Sequence, residues 1–329
     1  MKDKSKIFFN SVIAALSSFI YGLFQTSSSC LSDVLKKSYN SYKFKLDFIY
    51  FESMFTFIVF LGAFTCSLFI YLVKNISRKN LLIYNNFLYL VGSFITILSK
   101  NCFVLLAGRC LVGFAAGVTC YTVPSYIFGI TYETERGFFM SFHSIGIVLG
   151  LVIGKILDVV FSDVYYFWIF LIISFLIVIH TVLLLLISNG KTLSLDHEHS
   201  SIKELIKDPR AKKSVFLALS FHIAQHASGI DHLSLSLEEI LYDFKNPGLL
   251  SILSLSFSAL ISIICCSFID KLGRKIMIII STVLMALSTF IMGFDFVNLT
   301  ILFIYFLDLI LEWLQFLGLL QMKYFLLIM

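Results

Sequence analysis

Two acidic side chains, Asp308 and Glu312, lie four residues apart in an apolar stretch near the end of the chain. Residues at this spacing share one face of a helix, and paired carboxylates in an apolar setting can serve a metal ion or a proton path. His222 and His226 have the same spacing in an earlier apolar stretch. A single interior histidine is more often hydrogen-bonded within the protein than bound to a ligand, so this pair is the weaker candidate.

The polar run Asp196-His197-Glu198-His199 is another group of potential metal ligands. Its spacing fits neither a zinc finger nor a helical histidine pair, which favours a solvated loop. The chain also lacks the Gly-x-Ser-x-Gly elbow, a phosphate-binding loop and the His-Glu-x-x-His motif. The sequence therefore favours a protein that is not an enzyme and that holds no cofactor or metal.

The elements that must position these residues are long apolar segments. Hydrophobic residues make up 59% of the 329 residues, charged residues only 14%, and the mean hydropathy is +0.93. Runs of roughly 20 apolar residues can cross a bilayer, and these runs are apolar on all sides, unlike the alternating strands of a membrane barrel. The sequence predicts an all-α membrane protein with helices near residues 7–30, 49–73, 80–99, 102–130, 137–160, 164–188, 212–233, 248–269, 276–295 and 299–322.

Two short basic turns, residues 74–79 and 270–275, each lie between long apolar stretches. Similar turns in two halves of a chain indicate an internal repeat, as in many secondary transporters. The one long polar segment, 189–213, would separate an N-terminal six-helix half (1–188) from an incomplete C-terminal half of about four helices (214–329). A capping-box spacing at Ser201 predicts a short surface helix within that linker.

Lys and Arg concentrate in the loops that share a side with the N-terminus. The positive-inside rule then predicts a cytoplasmic N-terminus in a multi-pass protein of the plasma membrane. A basic start followed by the small residues Ser27–Ser29 would also fit a secretory signal, but its removal would invert this charge distribution. The net charge of +5 does not indicate nucleic acid, so the expected partner is the lipid bilayer.

Several motifs resemble the sugar porter branch of the major facilitator superfamily. The first set is similar to that family's fourth and fifth helices and comprises Gly108-Arg109, Gly113, Gly117, Val123-Pro124-Ser125-Tyr126, Arg136-Gly137 and residues 143–150. Gln225-His226-Ala227-Ser228-Gly229-Ile230-Asp231 resembles the family's Gln-Gln-x-Ser-Gly-Ile-Asn, and Asp270-Lys271-Leu272-Gly273-Arg274-Lys275 resembles its inner-loop signature. Four motifs in the family's order identify the chain as a divergent relative.

The resemblance implies a set of residues that contact a sugar. Carried over position by position, the family's amide-bearing positions become Ser144, Gln225, His226, Asp231 and Ser258, of which Gln225 is unchanged. All of them are polar, so a cavity that binds sugar hydroxyls is retained. The two serines can alternatively bond to their own helix backbone.

The resemblance also implies gating and structural roles for the basic positions. These are Arg109, Arg136, Asp270, Gly273, Arg274 and Lys275. Gly22 stands where proton-linked members have Asp, which implies facilitated diffusion. Arg109 then needs another partner, a watery cavity, or a position close enough to the outer surface to be solvated.

The first basic turn, residues 74–79, departs from the family pattern. Gly129 also stands where the family has an acidic residue. Glu133 and Glu135 are then candidate partners for Arg136. The close spacing of Gly113 and Gly117 predicts a neighbouring helix in close contact, which plain packing also explains.

The sequence thus predicts a truncated sugar porter that moves a hexose or polyol by alternating access. The chain provides about ten helices where the family has twelve. The alternative is a non-transporting sensor, an assembly partner or an inactive remnant of the same ancestry. The oligomeric state does not follow from the sequence.

Overall fold

The computed structural model describes residues 2–26, 48–70, 76–99, 102–132, 135–161, 166–187 and 245–266, together with isolated positions between 209 and 290. The described residues contain helices and turns but no strand, in agreement with the predicted all-α class. Seven helices have defined bounds: α1 (Lys2–Thr26), α2 (Phe48–Phe69), α3 (Arg78–Leu98), α4 (Cys102–Ile130), α5 (Arg136–Val160), α6 (Tyr166–Leu186) and α7 (Pro247–Cys266).

These bounds follow the predicted apolar segments closely. The largest difference is at α1, which begins at Lys2 rather than near residue 7, because lysine is a good helix former and can extend a helix into water. The predicted helices near 212–233 and 276–295 lie mostly outside the described residues, although isolated positions in both are helical. The helix near 299–322, the surface helix from Ser201, and Asp308 and Glu312 lie outside them entirely.

Six of the described helices are long and apolar enough to cross a membrane. The shortest span, the 18 residues Pro247–Ile264, would extend about 27 Å at the helical rise, close to the thickness of the bilayer core. A shorter apolar helix, Thr56–Phe69, lies within α2. The described part of the chain is therefore a multi-pass membrane protein.

The chain divides into two compact units. Unit 1 comprises residues 1–127 and 153–190, and unit 2 comprises residues 128–152 and 191–329. The core of unit 1 contains an aromatic cluster: the Phe24 ring stacks on Tyr89 with 5.1 Å between centroids and packs against Phe170 at 6.1 Å. These three side chains bring together α1, α3 and α6.

Glycines allow α4 to contact α2 at backbone distance. A Cβ built at Gly113 would overlap the carbonyl of Val59, and one at Gly117 would lie 2.9 Å from the carbonyl of Ala63. Gly62 on α2 faces the α4 backbone in the same way. The predicted close approach at Gly113 and Gly117 is therefore confirmed, and helix packing accounts for it.

Candidate functional site

Arg109 is buried in the middle of unit 1. It lies on α4, and only 1% of its surface is exposed. Its Nη1 donates a hydrogen bond of 3.2 Å to the carbonyl of Phe24, and its guanidinium carbon lies 5.9 Å from the centre of the Phe170 ring. The alternative that Arg109 is solvated near the surface is wrong, because protein atoms surround the side chain.

The Phe24 carbonyl is a favourable acceptor because of its position in α1. This helix ends at Thr26, so Phe24 belongs to the last turn, whose carbonyls have no partner within the helix. The partial negative charge of a helix C-terminus also favours a cation there. Arg109 thus takes a backbone acceptor two residues after Gly22, the position where a carboxylate was expected.

A second cation, Lys79, meets the C-terminus of another helix. Its Nζ donates to the carbonyls of Leu185 and Ile187, at 3.1 and 2.6 Å, at the end of α6. The neighbouring Arg78 lies over the ring of Tyr121 on α4, 4.8 Å from the ring centre. The first basic turn is therefore fixed to α4 and α6 by a cation–π contact and by carbonyls.

Arg136, the first residue of α5, also meets an aromatic ring. Its guanidinium carbon lies 3.8 Å from the centre of the Phe128 ring, and Nη2 donates to the carbonyl of Thr131 at 3.4 Å. Glu133, one of the two expected carboxylate partners, lies outside the described residues. The contacts to Phe128 and Thr131 were not predicted.

An ion pair lies within α5. Lys155 donates to Asp158 at 2.9 Å, and the two side chains are about nine-tenths buried. Nearby, a Cβ at Gly154 would overlap the Thr26 side chain of α1. The pair neutralises both charges locally, which reduces the cost of placing them in an apolar helix.

The two predicted sugar-contacting serines that the structure describes are both buried. Ser144 lies on α5 with 8% of its surface exposed, and Ser258 lies on α7 with 3% exposed. Both belong to unit 2.

The buried face of α7 carries two further serines, Ser251 and Ser262. The Ser251 hydroxyl donates to the carbonyl of Gly248 at 2.8 Å, whereas the buried Ser262 hydroxyl has no hydrogen-bond partner among the residues that the structure describes. Serine in an apolar helix usually hydrogen-bonds to its own backbone, so no sequence pattern distinguished Ser262 from the other serines of α7.

The remaining predicted site residues lie outside the described residues. They are Gln225, His226, Asp231, Asp270, Gly273, Arg274 and Lys275. The structure therefore neither brings them together nor separates them.

A family model described as "Sugar (and other) transporter" matches residues 7–190 and 188–310. Among curated relatives, hexose transporter 1 of Toxoplasma gondii is 30% identical over 105 residues, which are 32% of this chain and 18% of that protein. The galactose-proton symporter of Escherichia coli is 33% identical over 87 residues, 26% of this chain and 19% of the relative. The facilitated glucose transporter member 1 of Gallus gallus is 30% identical over 108 residues, 31% of this chain and 21% of the relative. The aligned part spans about a fifth of each relative.

Solved structures share the fold over nearly the whole chain. The proton:xylose symporter XylE bound to 6-bromo-6-deoxy-D-glucose matches with a TM-score of 0.78 and 15% identity, over 97% of this chain and 81% of that one. A partially occluded, inward-open XylE from E. coli matches with a TM-score of 0.76 and 16% identity, over 98% and 88%. The predicted major facilitator fold is confirmed, and these relatives are transporters rather than enzymes. The family model matches the chain in two segments, 7–190 and 188–310, which together cover most of the 329 residues. The chain therefore belongs to the sugar (and other) transporter family.

Proposed function

We propose that the chain carries a small sugar, a hexose or polyol, across a membrane by alternating access. The observation that carries this proposal is the match to the sugar transporter family over residues 7–190 and 188–310. The major facilitator fold and the six apolar helices support it. Curated relatives named for hexose, galactose and glucose transport give the substrate class.

We further propose that residues 1–188 and 214–329 act as two halves joined by a cytoplasmic linker, 189–213. The basic residues at the starts of α1, α3 and α5 support this orientation, because they include Lys4, Lys6, Arg78, Lys79 and Arg136. Positive charge at one set of helix ends is typical of the cytoplasmic side. The proposed membrane is the plasma membrane.

The proposed sugar contacts are Ser144, Gln225, His226, Asp231 and Ser258. Ser144 and Ser258 are both buried, and a serine hydroxyl can both donate to and accept from a sugar hydroxyl, which supports this assignment. Asp270, Gly273, Arg274 and Lys275 are proposed to form the second basic turn at the cytoplasmic side, matching the first basic turn, which Arg78 and Lys79 end.

Transport by this chain is proposed to be facilitative. Gly22 has no side chain that could carry a proton, and Arg109 donates to a backbone carbonyl, which does not titrate. Asp158 is paired with Lys155 at 2.9 Å.

Uptake of radiolabelled hexose by a host strain without endogenous sugar transporters tests the proposal. The chain should support saturable uptake above that of cells carrying an empty vector, and unlabelled hexose should compete. Expression at the cell surface is checked with an epitope tag. Surface expression without saturable uptake of any hexose or polyol would contradict the proposed function.

A further inference from the structure

One histidine joins three helices of unit 1. His180 lies on α6 and is only 2% exposed. Its Nε2 lies 3.0 Å from the carbonyl of Ile13 on α1, and its Nδ1 lies 3.0 Å from Nδ2 of Asn86 on α3. The ring therefore contacts α1 and α3 through its two nitrogens.

The partners assign the tautomer of the ring. A backbone carbonyl only accepts, so Nε2 carries the hydrogen that bonds to Ile13. In the neutral imidazole, Nδ1 is then the acceptor for the Asn86 amide. His180 thus uses both nitrogens, one as donor and one as acceptor.

Asn86 continues the same chain of hydrogen bonds. It is 1% exposed, and its Nδ2 also donates to Oγ1 of Thr181 at 2.9 Å. The Thr181 hydroxyl donates in turn to the carbonyl of Ile177 at 2.8 Å. This series of hydrogen bonds runs from the Ile13 carbonyl of α1 to His180 of α6 and on to Asn86 of α3. It then returns to α6 through the Thr181 hydroxyl.

A further polar contact joins α3 and α6 two turns away. Lys79 of α3 donates to the carbonyls of Leu185 and Ile187, seven residues before Asn86 in the sequence. Two separate contacts on the same pair of helices oppose both rotation and sliding of one helix against the other.

α1 is also held twice, both times through a backbone carbonyl. His180 binds Ile13, and Arg109 binds Phe24. Residues eleven apart lie within about 20° of each other around a helix that has 3.6 residues per turn, and about 16 Å apart along it. The two contacts therefore act on one face of α1, three turns apart.

Apolar packing alone would not fix this arrangement. In a membrane, apolar side chains gain nothing by leaving lipid for each other, so hydrogen bonds and close packing must set the register. A slip of α1 by one residue, a rise of about 1.5 Å, would break a hydrogen bond of 3.0 Å.

We propose that His180 is a positioning residue that holds α1 to α3 and α6, so that these three helices move as one body during transport. The part of the proposal that concerns transport depends on the proposed function. The part that concerns helix position does not, and it is tested separately.

The helix contact is tested by spin-label distances in purified protein. Labels are attached to cysteines at Phe9 of α1 and Val182 of α6, which are 52% and 55% exposed, in a background without native cysteines. His180→Leu should widen the distance distribution about twofold, because it removes both hydrogen bonds and allows slips on the scale of the 1.5 Å helical rise. His180→Gln keeps an amide that can donate to Ile13 and should restore a narrow distribution.

Ser174→Ala is the matched control on the same helix. Ser174 is buried, but its hydroxyl bonds only to the carbonyl of Phe170 within α6, at 2.8 Å. The distribution in this variant should stay as narrow as in the unmodified protein. If His180→Leu does not yield monodisperse protein, His180→Ala replaces it, with the same broadening expected, because it also removes both hydrogen bonds. If the His180 variant that is measured gives a distance distribution as narrow as that of the unmodified protein, the proposal is overturned.

Sugar uptake by the same variants tests the transport part. His180→Leu should lower the maximal uptake rate per molecule at least several-fold, and His180→Gln should recover most of it. If the unmodified chain transports nothing, the proposed function fails while the distance measurement still stands. Full uptake by His180→Leu together with a broad distribution would overturn the claim that the three helices must move together.

Discussion

Arg109 of α4 donates from Nη1 to the carbonyl of Phe24 in the last turn of α1, over 3.2 Å. This contact places a permanent charge at the negative end of a helix dipole. Lys79 does the same at the end of α6. In both cases a buried or half-buried cation donates to backbone carbonyls at the end of a helix.

The Arg109 contact predicts that transport does not move protons. A carbonyl acceptor holds no exchangeable proton, and Gly22 supplies none. Adding sugar to a lightly buffered suspension of expressing cells should leave the external pH unchanged while labelled sugar enters. Alkalinisation that depends on sugar would contradict this prediction and would direct attention to Asp158, Asp231, Asp308 and Glu312.

Lys79→Met should destabilise the protein by about 1 kcal/mol, because a charged donor to the end of α6 is lost while the length of the side chain is kept. Lys79→Arg should cost less, since it can still donate. Thermal unfolding in detergent measures both. Lys6→Met, which removes a charge from an exposed position on α1, is the control and should leave the melting temperature unchanged. Equal melting temperatures for the two Met variants would count against the role of Lys79.

Gly113 and Gly129 of α4 should respond in opposite ways to alanine. At Gly113 the new methyl group would overlap the Val59 backbone, which cannot turn aside as a side chain can, so a loss of about 1–3 kcal/mol is expected. At Gly129 a Cβ meets no atom of the described residues within 4 Å, and replacing glycine in a helix should give a gain of up to about 1 kcal/mol. Melting temperatures of the two variants in the same detergent decide this. A Gly113→Ala protein as stable as the parent would mean that the α2–α4 contact is looser than described.

Ser258→Ala should raise the apparent KM for sugar several-fold, because a sugar hydroxyl would lose a partner worth about 0.5–1.5 kcal/mol. Ser256→Ala, two residues away, is the matched control. The Ser256 hydroxyl bonds to the carbonyl of Ile252 at 2.7 Å within the helix, so its loss should not change KM. Concentration-dependent uptake gives both values. Identical KM values for the two variants would remove Ser258 from the proposed site.

The helix bounds could be predicted because each membrane segment is a long apolar run bounded by polar residues. The partners of the buried polar groups could not. Arg109, Lys79 and His180 all bind backbone carbonyls, and a carbonyl is present at every residue, so it leaves no mark in the sequence.

Aromatic partners were missed for a related reason. Arg136 lies over Phe128, but phenylalanine occurs 36 times in the chain, and no single ring stood out. The close helix contact at Gly113 and Gly117 could be predicted from the sequence. Glycines four residues apart lie on one face of a helix, and their main structural role there is to let another helix approach closely.

Counterflow in proteoliposomes made with the purified protein measures whether this chain moves a sugar by alternating access. Vesicles loaded with unlabelled hexose are diluted into a trace of labelled hexose, without an imposed ion gradient. Alternating access predicts a transient accumulation of label above equilibrium, abolished by an inhibitory excess of external unlabelled hexose. Uptake no greater than in protein-free vesicles, for every hexose and polyol tried, would contradict it.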